Sequence, residues 1–134
     1  MAREHRHTTP PSLADVDVLA RRMLECLPEE MRRHVTGLVV QVDDFCEESV
    51  EESMGLESPF DLLGLYQGTA VPWKSVLDSG GVPDMIFLYR RPILDYWCEC
   101  GEDLGRVIRH VLIHEIGHHF GFSDEDMERI EGVG

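Results

Sequence analysis

Residues 114–118 read His-Glu-Ile-Gly-His, two imidazoles four positions apart with a carboxylate beside the first. On a helix, positions i and i+4 lie ~40° apart around the axis and one turn along it, so both rings leave the same face. Their nitrogens can meet one Zn²⁺ at the ~2.0–2.1 Å such bonds require. Glu115 then stands where it can hydrogen-bond a water held at that ion and take its proton, rather than ligate. H-E-x-x-H alone arises by chance in roughly one chain of this length per few hundred at ordinary His and Glu usage. Here it falls on a segment with few polar residues among its middle positions. Ionisable groups on a buried helix are expensive unless something such as a metal pairs with them.

The run continues to Gly121 and Asp124, so residues 114–124 read H-E-x-x-H-x-x-G-x-x-D. A catalytic zinc needs a third protein ligand and an open fourth position. Asp124 supplies the third if the chain reverses sharply after the helix, and Gly121 is where a left-handed backbone permits that reversal. Glu125 and Asp126 compete for the role, but the Gly-x-x-Asp spacing favours Asp124. Two neutral imidazoles and one carboxylate leave about one net positive charge at the ion, which acidifies a bound water and polarises a carbonyl. One zinc per chain follows; the ligand types alone do not separate it from Mn²⁺ or Fe²⁺. His110, a turn before His114, reads either as an outer partner of the site or as a structural histidine. His119, offset by ~100° from His118, is expected to point away. Met127 and Tyr66 read as core residues.

The elements that must hold this segment are legible in outline. Residues 1–11 read as a flexible tail ahead of a single domain at 12–134. Ser12 and Asp15 look like a capped helix start, and Leu13, Val16, Ala20, Met23, Leu24 and Leu27 follow at helical spacing. Pro28 restarts a helical turn running to about His34. Residues 38–42, 62–68 and 85–89 read as three strands. Between Asp43 and Glu57 stand seven acids and no base, read as a solvated loop or loose helix in preference to a lip for basic ligands. Residues 69–83 read as a long connection. Arg90-Arg91-Pro92 closes the third strand, and a turn-rich stretch containing Cys98 and Cys100 follows. The motif helix is expected from about Asp103 to His119, stopped by Gly121 and followed by an acidic tail.

Composition narrows the function. The net charge is −14, from 26 acids and 12 bases, which repels polyphosphates and disfavours nucleic acid as a partner. No apolar run approaches the ~20 residues a membrane span needs, and no secretory signal is visible, so a cytoplasmic protein is expected. Its four cysteines would then be thiols. Cys98 and Cys100 form a C-x-C pair with no second pair at zinc-site spacing, so free thiols are preferred to a redox or metal role.

With these residues quoted, the chain resembles the minimal, single-domain bacterial zincin-like metallopeptidases, relatives of the metzincins. The likeness rests on His114-Glu115-x-x-His118-His119-Phe120-Gly121-x-x-Asp124, supported by Leu63-Gly64-Leu65-Tyr66-x-Gly68 and Pro83-Asp84-x-Ile86. It implies an α+β fold, in which a small mixed sheet packs with a scaffold helix and an active-site helix. It also implies His114, His118 and Asp124 as zinc ligands and Glu115 as general base. Metzincins usually carry His at the third position, where this chain has Asp, as the minimal family also does. Zincins bind an extended peptide along an edge strand, and residues 85–89 are the natural candidate. The leading expectation is therefore a zinc peptidase acting on peptides or proteins. A metal-dependent RNA endonuclease is the alternative enzyme: the bacterial ribosome-maturation endonuclease has similar ligand spacing, but it lacks the Glu and needs a basic face. A non-catalytic metal-binding or interaction module is the third reading.

Overall fold

Ser12 begins the first helix by reciprocal capping: its hydroxyl accepts from the Asp15 N–H at 3.0 Å, while the Asp15 carboxylate accepts from the Ser12 N–H at 2.9 Å. The structure is a computed structural model describing residues 9–68 and 83–132. Residues 1–8 of the expected tail and residues 69–82 of the expected connection lie outside the described residues. Helix α1 spans Leu13–Glu25 and buries Val16 and Ala20. A short helix α2, Glu29–Arg32, and a 3₁₀ turn at Arg33–Val35 follow Pro28.

Strand β1 is Val39–Asp43, β2 is Gly64–Gln67 and β3 is Met85–Tyr89. They form a mixed sheet in the order β1-β3-β2, with β1 parallel and β2 antiparallel to β3. With helices packed beside it, this is the expected α+β architecture. One expectation is corrected: β3 is the central strand, paired on both sides, so it offers no free edge to a peptide. Its unbroken apolar run, Met-Ile-Phe-Leu-Tyr, is what a strand covered on both faces carries. Ile86 and Leu88 face the main core with no exposure. Phe87 and Tyr89 face the opposite side, in a smaller cluster with Cys46 and Leu62. Helix α3, Glu48–Met54, gives the acidic segment a defined helix that contributes Val50 to that cluster.

Two further corrections concern helices. Arg90–Cys100 is a helix, α4, which runs through Cys98 and Cys100 where a turn-rich stretch was expected. Pro92 does end the strand, but in the first turn of α4 its missing N–H has no intrahelical carbonyl to satisfy, so it fits there without cost. Cys26, Cys98 and Cys100 are exposed and Cys46 is buried; none is bonded to another. The acidic tail is also helical. Helix α6, Asp124–Glu131, is capped by Ser123, with Asp124, Glu125 and Asp126 in a first turn where negative charge suits the helix dipole. Met127 and Ile130 on α6 are fully buried.

The motif helix is α5, Leu104–Phe120, and it lies at the centre of the packing. It contacts α1, β2, α4 and α6. Ile108, Leu112, Ile113 and Ile116 have no exposure, which fixes the helix in rotation and so fixes which residues face outward. Among the described residues, no helix is long and apolar enough to cross a membrane.

Candidate metal centre on helix α5

The end of α5 determines where its polar face meets the next helix. Gly121 adopts φ +79°, the left-handed conformation that a side chain would strain. The Phe122 N–H donates to the Gly117 carbonyl at 2.8 Å and the Gly121 N–H to the His118 carbonyl at 3.4 Å, the paired bonds of a Schellman turn. The chain reverses there, as the spacing predicts, and α6 runs back along α5. Gly117 allows the close approach: a Cβ on it would lie 2.8 Å from Cγ of Met127 and nearer still to the Met127 sulfur. Arg109 clamps the far end, donating to the carbonyls of Ile130 at 2.8 Å and Glu131 at 2.9 Å.

This hairpin sets Glu131 against two histidines of α5. Glu131 Oε2 is 2.6 Å from Nδ1 of His110, and Oε1 is 3.1 Å from Nε2 of His114. The His110 and His114 rings stack at 4.2 Å with a 40° tilt. All three side chains are partly buried. Burial alone would raise the Glu131 carboxyl, but hydrogen bonds and charge from His110 and His114 outweigh it and hold the carboxyl below its ordinary value.

The motif residues are distributed around this cluster. His114 and His118 are neighbours on one face of α5, with ring centroids 5.7 Å apart in an edge-on arrangement. His118 is exposed. His119 turns aside, stacked on Tyr66 at 4.1 Å. Asp124 is the first residue of α6 and is exposed to solvent. Among the described residues, the His/Cys/Asp/Glu group able to hold a metal is His110, His114 and Glu131, whose ligand atoms all lie within 4.8 Å of one another. His118 and Asp124 stand outside that group.

Glu115 faces elsewhere, toward the outer edge of β2. The Tyr89 N–H donates to the Leu63 carbonyl at 3.0 Å, which sets the phase of the β2–β3 ladder. Leu65 and Gln67 thus turn their backbone groups to β3, and Gly64 and Tyr66 turn theirs outward. The Tyr66 N–H faces the Glu115 carboxylate. Gly64 lets the strand sit this close to α5: a Cβ there would lie 2.8 Å from Val111 Cγ1 and 3.4 Å from Glu115 Cγ. Burial pushes the Glu115 carboxyl above its ordinary value; His118 and the Tyr66 N–H pull the other way and do not cancel it. The Tyr66 phenol is committed elsewhere, donating to Asp84 Oδ2 at 2.6 Å.

Residues 35–133 match the model of the zincin-like metallopeptidase family. The chain belongs to that family. No curated protein matches it. In this zincin-like chain the matched span runs from the end of the 3₁₀ turn through β1 to α6, so it includes every residue of the site. The two upstream pieces that carry the resemblance meet in space, since Tyr66 at the end of β2 bonds Asp84 just before β3.

The donor chemistry fits a divalent ion. Ligand atoms ~2.1 Å from one tetrahedral ion sit about 3.4 Å from each other. The Glu131 contacts at 2.6 and 3.1 Å need to open by less than about 1 Å to admit one. Sequence reasoning missed Glu131. The signal was present: Asp124-x-x-Met127-x-x-Ile130 is an amphipathic helix start, and an antiparallel return from Gly121 sets residue 131 opposite 110 and 114.

Proposed function

We propose that the protein is a zinc-dependent peptidase in which Glu115 is the general base and His114, His118 and Asp124 hold the metal. The observation that carries this reading is the position of Glu115. It is the residue after His114 on α5, half-buried, with its carboxyl held above the ordinary value and facing the outer edge of β2. A carboxyl raised above its ordinary value is a stronger base, which is the direction general-base catalysis needs. Zinc, when bound, supplies a Lewis acid that polarises the scissile carbonyl and acidifies water. Glu115 takes a proton from the attacking water and returns it to the leaving amine. The outward backbone groups of Gly64 and the outward carbonyl of Tyr66 are suited to pair with an extended peptide, which would run beside Glu115. Asp124 must close on the ion from its exposed position at the start of α6, and the Schellman turn at Gly121 is the joint that sets its reach.

A second reading, a non-catalytic metal-binding module, has its own support: the ligand atoms that already converge are those of His110, His114 and Glu131. Hydrolysis of a peptide library by the zinc-loaded protein separates the two. Glu115→Gln should keep the metal and lower turnover about 10²–10⁴-fold, the usual contribution of a general acid–base. A Glu115→Gln protein that cleaves as fast as the parent removes the proposed mechanism, and zinc bound without turnover on any peptide favours the module.

A further inference from the structure

We propose that His110, His114 and Glu131 form a second divalent-cation seat, which shares His114 with the H-E-x-x-H seat and therefore competes with it. The seat is argued from geometry alone; only the competition rests on the proposed peptidase ligands. His110 and His114 are one turn apart on the rigid middle of α5, their rings already stacked at 4.2 Å. Glu131 reaches both with its two oxygens, one to each ring. Its backbone is fixed by the Arg109 guanidinium on the Ile130 and Glu131 carbonyls and by the buried Met127 and Ile130 beneath. The two α5 ligands thus sit on packed helix, and the α6 ligand is clamped at its base, which is the pre-organisation a metal site needs.

Two imidazole nitrogens and a carboxylate oxygen suit Zn²⁺, Co²⁺ or Ni²⁺ and leave at least one open position. The seat lies on the opposite side of His114 from His118, along the helix toward its N-terminus. Glu115 is ~100° around α5 from His114 and turned to β2, so a cation here lies away from the base. A neutral imidazole has one lone-pair nitrogen, so His114 serves one ion at a time. In this arrangement its Nε2 faces Glu131.

The test is Co²⁺ titration of the full chain, followed by its visible absorption. Wild type should bind one Co²⁺ per chain at saturation. His118→Ala should still bind one, because it leaves the second seat intact. Adding either His110→Ala or Glu131→Gln to His118→Ala should weaken that binding more than about tenfold, the least that even an outer partner of a metal ligand contributes. The two additions serve as controls for each other, with far-ultraviolet circular dichroism reporting that each variant is folded. Loss of all Co²⁺ binding in His118→Ala overturns the proposal, as does unchanged affinity in both double variants. Two Co²⁺ bound at once by wild type overturns the sharing of His114. Absence of peptidase activity would leave these outcomes unaffected, so the two readings fail separately.

Discussion

The backbone N–H of Tyr66, on the outer edge of β2, faces the carboxylate of Glu115 on α5 and favours its charged form. This approach brings the edge strand to the helix that carries the motif, at the one side chain expected to handle protons. Yet burial prevails, and the carboxyl stays above its ordinary value. The sign of the resulting pH dependence follows. The unfolded chain ionises this group at its ordinary value near 4.5, whereas the folded protein keeps its proton to higher pH. The stability that this group contributes is therefore fully present at or below that unfolded value. It falls as pH rises toward the folded value, and stays lowered above it. In metal-free protein, Glu115→Gln should be more stable than wild type at pH 7, with the gain gone near pH 4. Urea denaturation with chelator present at both pH values measures this; an equal gain at each would sever it from ionisation.

Gly117 and Met127 form the contact that lets α6 lie against the motif. Gly117→Ala drives a methyl into the Met127 side chain and should destabilise the fold by about 1–3 kcal/mol. Met127→Ala alone opens a cavity under a fully buried position and should cost about 2–5 kcal/mol. Together the two should cost less than their sum, since the new methyl enters the space the sulfur leaves. Strict additivity in urea melts would mean that these residues do not meet.

Arg109 holds the last carbonyls of α6 with two hydrogen bonds from a charged group. Arg109→Ala should lose about 1.5–3 kcal/mol of stability, the range for such bonds. It should also release Glu131 from the histidines, because the clamp acts on the backbone of Glu131 itself. The resonances of His110 and His114 report that release: their ring chemical shifts should move toward those of Glu131→Gln. Shifts unchanged from wild type would show that Glu131 keeps its place without the clamp.

Much of the local structure was written in short-range signals. The Ser12–Asp15 cap, the three apolar strand segments and the Gly121 stop each depend on residues within a few positions of one another, and each is found where the sequence predicts it. The errors have physical causes of another range. Arg90-Arg91-Pro92 reads as a breaker in isolation, but a proline in a first helical turn breaks nothing, and packing of Ile93 into the core supplies the rest of the reason for α4. The acidic residues after Ser123 read as solvated tail because their charge masks the spacing of Met127 and Ile130, the two residues that anchor α6.

The motif itself belongs wholly to the sequence: His114, Glu115 and His118 share α5 because helical periodicity requires it, and Gly121 turns the chain because no side chain suits its backbone. What periodicity cannot state is the order of strands or the partner opposite a helix face. That β3 lies in the middle, that β2 turns its outer edge to Glu115, and that Glu131 meets His110 and His114 are consequences of how separate elements dock. Those contacts join residues 17 to 49 positions apart, and burial of the apolar faces of α1, α5 and α6 against one another and the sheet, not any local preference, brings them together.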